Sequence, residues 1–184
     1  MAKKVSNELD ILFEYGIDAD NRTVYLYGDV EEDSVKQVIK ALLRMDKTLG
    51  DITVYISSYG GSLYDMFALY DIITNCTNKV KTIALGKCMS AAVLLCACGD
   101  SELRYAHKNV TFMLHDASDE QEGYHGELKK EIKELGRVVE RWAELLANHS
   151  KKTSTFYRNV MNSKGNLYIN AETALEYGLI DKLI

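Results

Sequence analysis

Two periods of apolar residue alternate along this chain, and glycine often marks the change from one to the other. The run RTVYLYG (22–28) is β-branched and aromatic and closes on Gly28, the pattern of a strand. In DSVKQVIKALLRMDK, Val35, Val38, Ile39, Leu42 and Leu43 fall on one helical face, and Ser34 with Gln37 has capping-box spacing. DITVYISSYGG (51–61) predicts a second strand that runs into a Gly-Gly loop, and Leu63, Met66, Phe67, Tyr70 and Ile73 predict the helix after it. VKTIALG (80–86) is a third, buried strand ended by Gly86. SAAVLLCA is apolar on every side, so the short helix it predicts belongs in the core.

ELRYA and VTFMLH then read as strands separated by the turn-like HKN. A long helix is predicted from about Gly126 to His149, within a region 123–149, with Leu128, Ile132, Leu135, Val138, Val139, Trp142, Leu145 and Leu146 on one stripe. At 1.5 Å per residue it is roughly 35 Å long, more than a domain of this size needs for its own core, which predicts a protruding helix that packs on another subunit. In the tail, Asn170 caps a helix ended by Gly178, and an apolar strand-like terminus follows. Strands alternating with helices at this spacing give an α/β domain with mainly parallel pairing. Function in such domains collects at the carboxyl ends of strands, and three of those ends carry informative residues: Gly60–Gly61, Ser90 and His115.

Composition narrows the picture. With 184 residues, 47% of them hydrophobic, and no compositional break, the chain reads as one domain over 1–184. A formal charge of −5, with Lys3–Lys4 and Lys151–Lys152 too short to make basic patches, argues against nucleic acid as a partner. The start, MAKKVSNELDILFEYG, lacks a signal-type apolar core, and no run approaches the ~18 apolar residues of a membrane span, so the chain reads as cytoplasmic. Cys76, Cys88, Cys96 and Cys98 have neither zinc-ligand nor disulfide-framework spacing and read as buried thiols. ALGKCM has the Gly-Lys of a phosphate loop without its earlier glycine or following Ser/Thr, so ATP binding of that kind is excluded. No motif calls for a metal or another cofactor.

A serine hydroxyl attacks only when a base is within hydrogen-bond reach and donors await the developing oxyanion. Ser90 stands at a predicted helix start, where the Ala91 N–H would be one donor. Gly60–Gly61 would let a second backbone donor come close. The same residues have ordinary uses: Ser90 as a helix N-cap, His115 as a structural strand-end histidine, the glycines as a turn. Residue chemistry leaves both readings open.

Taken together, YISSYGGSLYDMFALYDII, TIALGKCMSAAVLLCACG, RYAHKNVTFMLH and INAETALEYGLIDKLI occur in the order, and with nearly the spacing, of the proteolytic subunit of the Clp protease. The resemblance runs from about Arg22 to the C-terminus. It implies the spiral of ββα units shared with crotonases, with the long helix as a protruding handle, and a serine endopeptidase that hydrolyses unfolded polypeptides inside a ring-shaped chamber. Ser90 matches the nucleophile, His115 the general base, and Gly61 and Ala91 the backbone oxyanion donors. The third triad position falls on Asn166, where the family has aspartate; Asp116 and Asp119 are acids that could take its role. The resemblance also implies self-assembly into stacked rings, heptameric in the usual case, and a separate hexameric Clp ATPase as partner.

Several positions depart from the family. Tyr59 replaces the usual proline of SSYGGS, HDA stands for the common HQP, and AAV follows Ser90 where Met-Gly-Ala is usual. DASDEQEGYHGEL is acidic where the family has a glycine-rich strand, and residues 1–21 do not resemble its axial hairpin. Of the four sites that match the ATPase docking face, Thr53, Tyr55, Asn75 and Tyr105, two are not aromatic. Asn166 and the changed docking face raise the alternative of a weak or inactive structural ring subunit, the fold and two-amide oxyanion hole shared with crotonases raise that of an acyl-CoA enzyme, and a scaffold or capsid-maturation peptidase would share the chemistry with another substrate.

Overall fold

Residues 8–117 and 124–184 are described by a computed structural model. In chain order they form α1 (Glu8–Tyr15), β1 (Ile17–Asp18), β2 (Thr23–Tyr27), α2 (Glu32–Met45), β3 (Ile52–Ser58), α3 (Leu63–Asn75), β4 (Val80–Met89) and α4 (Ala91–Ala97). Then follow β5 (Arg104–Ala106), β6 (Thr111–Leu114), α5 (His125–Asn148), α6 (Ser154–Met161), β7 (Leu167–Asn170), α7 (Ala171–Tyr177) and β8 (Lys182–Leu183). The α/β class expected from the alternating periods is the class observed. The pairs β2–β3, β3–β4, β4–β5, β4–β6 and β5–β8 are parallel, while β1–β2 and β6–β7 are antiparallel.

Strand β4 decides where the site lies. Its first half pairs with β5 through Thr82, Ile83 and Ala84, and beyond Gly86 its second half pairs with β6 through Lys87, Cys88 and Met89. The sheet therefore splits at β4, and the residues after Met89 emerge beside the end of β6. Helix α4 starts there and packs against β3, β4, β5 and β6 as well as α3 and α5. All seven of its residues are buried, as its unbroken apolar sequence requires. Cys88, Cys96 and Cys98 are buried free thiols of this core and Cys76 is half-buried.

The sequence reading misplaced some boundaries. Helix α2 begins at Glu32, so Ser34 is inside its first turn, where its hydroxyl accepts from the Glu31 N–H (3.2 Å) and donates to the Asp29 carbonyl (2.7 Å). Helix α6, capped by the Thr153 hydroxyl on the Phe156 N–H (3.1 Å), and strand β7 were not anticipated. Asn170 does cap α7, accepting from Thr173 N at 2.9 Å, and Gly178 ends it in the left-handed region. The long helix spans His125–Asn148; Val138, Trp142, Ala143, Leu145 and Leu146 are buried, whereas Ile132 nearer its start is 70% exposed. No helix among the described residues is long and apolar enough to cross a membrane.

The C-terminal strand is tied down by one partly buried cation. Arg104 on β5 donates through Nε to Asp181 Oδ2 (2.9 Å) and through Nη1 to the carbonyls of His149 (2.6 Å) and Gly178 (3.0 Å). Burial alone would raise the Asp181 carboxyl, but the Arg104 hydrogen bonds outweigh it and hold its pKa below the ordinary value.

Candidate active site

The parallel pairing of β4 with β6 brings together two residues that lie 25 positions apart. Met89 pairs with Met113, and the Ser90 N–H donates to the Met113 carbonyl at 2.6 Å, so the chain just past β4 and the chain just past β6 lie side by side. There Ser90 Oγ and His115 Nε2 are 2.9 Å apart. Ser90 is 8% exposed and His115 is half-buried.

Backbone geometry bears on the two readings of Ser90. It occupies the N-cap position of α4, yet its side chain makes no capping hydrogen bond. Its φ of 52° and ψ of −124° lie in a region that a residue with a Cβ rarely adopts, at a cost of about 1–3 kcal/mol. That conformation turns the hydroxyl away from the helix and toward the imidazole. A serine serving only as a cap would need neither the strain nor the histidine.

The Gly60–Gly61 turn closes over the same spot. A Cβ on Gly60, whose φ is +100°, would sit 2.6 Å from Ser90 Cβ and 2.8 Å from the Met89 carbonyl oxygen. On Gly61, with φ +149°, it would sit 2.2 Å from the Val30 carbonyl oxygen. Both positions therefore require glycine. Val30 N donates to Gly60 O, and Ser62 N donates to Val30 O, each at 2.8 Å, while the buried Ser58 hydroxyl accepts from Gly60 N at 3.0 Å. Among the described residues, the N–H groups of Gly61 and Ala91 have no backbone acceptor, which leaves two donors beside Ser90.

Ser90 and His115 open onto a cavity of about 600 Å³, also lined by Tyr59, Gly61, Leu63, Val138 and Trp142. Glu131 and Glu134 of α5 lie along its wall. Glu134 accepts from Arg137 (2.6 and 2.8 Å) and from the Tyr64 hydroxyl (2.9 Å), and these hydrogen bonds, that of Arg137 foremost, lower its pKa to about 2. The lining residues Leu63 and Trp142 belong to the apolar stripes of α3 and α5, which the sequence reading assigned wholly to packing. Nothing in helical periodicity distinguishes a side chain that fills a core from one that borders a cleft.

Asn166 stands where the β6–β7 register places it. Leu114 pairs with Leu167 at the end of the β6–β7 ladder, and His115 and Asn166 are the residues that follow β6 and precede β7 there. Its side chain is exposed and its Nδ2 donates to the Tyr168 hydroxyl at 3.1 Å; among the described residues no hydrogen bond joins it to His115. Asp116 is exposed. Asp119 and residues 118–123 of the acidic segment lie outside the described residues.

A family model described as Clp protease matches residues 13–184. The chain is similar to the ATP-dependent Clp protease proteolytic subunit 3 of Frankia casuarinae, at 32% identity over 165 residues (89% of this chain, 76% of that one). It is 31% identical over 183 residues to proteolytic subunit 2 of Corynebacterium jeikeium (98% and 84%). With the ATP-dependent Clp protease proteolytic subunit of Dehalococcoides mccartyi it shares 30% identity over 172 residues (92% and 85%).

Proposed function

The chain belongs to the Clp protease family and is a peptidase of that type, and from that premise we propose that Ser90 is its nucleophile and His115 its general base. The observation that carries this is the 2.9 Å contact between Ser90 Oγ and His115 Nε2, made by a serine whose strained backbone withholds it from capping. In the proposed reaction, Oγ attacks the peptide carbonyl as Nε2 takes its proton. The Gly61 and Ala91 N–H groups receive the oxyanion, and the imidazolium returns the proton to the departing amine. Water, activated by the same imidazole, then releases the acyl group from Ser90.

Asn166, which precedes β7 where His115 follows β6, is the proposed third member. In the proposed reaction its amide turns from the Tyr168 hydroxyl, so that Oδ1 accepts from the His115 Nδ1–H and fixes the tautomer in which Nε2 is free to accept a proton. A neutral amide orients the ring without balancing the imidazolium charge, so the proposed site is active but slower than one with a carboxylate.

The relatives are named as subunits of an ATP-dependent protease. For this chain we carry over stacked rings enclosing the sites, with unfolded polypeptide as substrate and the exposed first turns of α5 as the contact between rings. Having no phosphate loop of its own, the chain depends on a separate hexameric ATPase for unfolding. Of the four docking-face positions, Tyr55 stacks on Tyr25 (centroids 5.2 Å apart) and Tyr105 lies under Lys81 (5.9 Å).

The test is covalent. A fluorophosphonate probe should label the full-length wild-type protein and fail to label Ser90→Ala, with hydrolysis of a small fluorogenic peptide lost in parallel. Hydrolysis that persists in Ser90→Ala would sink the proposal.

A further inference from the structure

Two sequence features remain outside the proposed chemistry: the tyrosine before the glycine turn, and the lysine of GKCMS. The fold joins them. Lys87 Nζ lies 4.3 Å from the centroid of the Tyr59 ring and 5.5 Å from that of Tyr27, within the range where an ammonium is held by aromatic faces. The three residues come from the carboxyl ends of parallel neighbours. Tyr27 ends β2, Tyr59 follows β3 by one residue, and Lys87 is in the last turn of pleat before Ser90.

Tyr59 is 62% exposed and Tyr27 74% exposed, so burial does not fix either ring. Yet Tyr59 borders the cavity that contains Ser90 and His115, and it is two residues from the proposed donor Gly61. An exposed tyrosine at a loop ordinarily samples several rotamers, and holding one of them costs side-chain entropy at each binding event. A cation anchored in β4 and resting on the ring meets that cost beforehand.

We propose that Lys87 is a positioning residue for substrate: it holds the Tyr59 ring as a fixed wall of the cleft, and that wall takes an aromatic side chain of the peptide next to the scissile bond. The inference rests on the peptidase reading above. A flat ring favours stacked or edge-on aromatic partners over small side chains. Lys87 acts through Tyr59, and the chemical step does not involve it.

Binding can be read without turnover. On a Ser90→Ala background, in the full-length protein, fluorescence anisotropy would give Kd for two labelled peptides that differ only in phenylalanine or alanine beside the cleavage point. Tyr59→Ala should weaken the phenylalanine peptide about five- to tenfold and leave the alanine peptide within twofold. Lys87→Met should weaken the phenylalanine peptide about threefold, Lys87→Arg should restore it because guanidinium also rests on aromatic faces, and Lys87→Met added to Tyr59→Ala should bring no further loss. Additive losses, equal losses for both peptides, or no effect of Lys87→Met would overturn the proposal. Fluorophosphonate labelling of the wild-type protein, with Ser90 intact, tests the peptidase reading separately. Failure of wild type itself to label would count against the peptidase reading, while the binding arm still decides the role of Lys87.

Discussion

Replacing Gly60 by alanine tests whether the glycine turn and the serine form one machine. The added methyl would lie 2.6 Å from Ser90 Cβ, 2.8 Å from Met89 O and 3.0 Å from Ala91 N. Ordinary carbon contacts begin near 3.5 Å, so the turn and the Ser90 segment must separate by about 1 Å. All three obstructing atoms are backbone or Cβ atoms, which no rotamer change can move. A displacement of that size between reacting groups costs on the order of a hundredfold in rate. The φ of +100° adds backbone strain of about 1–3 kcal/mol. Gly28→Ala is the matched control: its φ is +116° but nothing lies within 4 Å, so it carries the strain without the wedge. Both variants should therefore lose several degrees of Tm. Only Gly60→Ala should show a kcat on a small fluorogenic peptide, and a rate of fluorophosphonate labelling, lowered by about two orders of magnitude. A Gly60→Ala protein that keeps kcat within threefold of wild type would refute the argument that this turn is seated against the proposed nucleophile.

Three further outcomes follow from the same geometry. Asn166→Asp should raise kcat about five- to tenfold, the difference between a neutral and a charge-assisted hydrogen bond to the imidazolium, and Asn166→Ala should lower it; no change from either would remove Asn166 from the mechanism. Arg104→Met leaves the Asp181 carboxylate in a largely buried place without its cation and should cost about 2–3 kcal/mol in urea unfolding. Because the folded pKa of Asp181 is depressed, its contribution is complete above its unfolded value near 4 and is lost as pH falls through the folded one, so the wild-type and Arg104→Met stability curves should converge in acid. His149 is depressed as well, by burial and then by Arg104; below its unfolded value near 6.5 the unfolded chain binds the extra proton, so stability should fall from pH 7 to pH 5, and His149→Gln should flatten that slope.

What was legible in the sequence and what was not divides along the distance over which each signal acts. The strand–helix alternation and the burial of α4 are written in neighbouring residues, because periodicity and an all-apolar heptad are local properties. Strand β7 is four residues long, too short to show a period, and α6 is a two-turn helix whose start depends on a single threonine. Ser34 shows how a local signal can be displaced: its hydroxyl serves the Glu31 N–H from within the first turn, and a serine at the cap would look the same in sequence.

The site poses a different problem, because none of its decisive relations is local. In sequence Ser90 reads equally well as cap or nucleophile, and what brings His115 beside it is the pairing of β4 with β6, which depends on β4 changing partners at Gly86. Once it does, the imidazole 25 residues on reaches the hydroxyl, and a conformation unfavourable for a simple cap acquires a reason. Asn166 is the sharper case. It stands just beyond the Leu114–Leu167 pair, as His115 does on the other strand, yet its amide is turned to Tyr168, so strand pairing brings the residue to that end of the ladder and leaves the rotamer to the hydroxyl beside it. A carboxylate at that place could accept from the Tyr168 hydroxyl or from the imidazole N–H, and gains more from the charged imidazolium. The Asp substitution therefore tests whether the tyrosine or the histidine holds the third position.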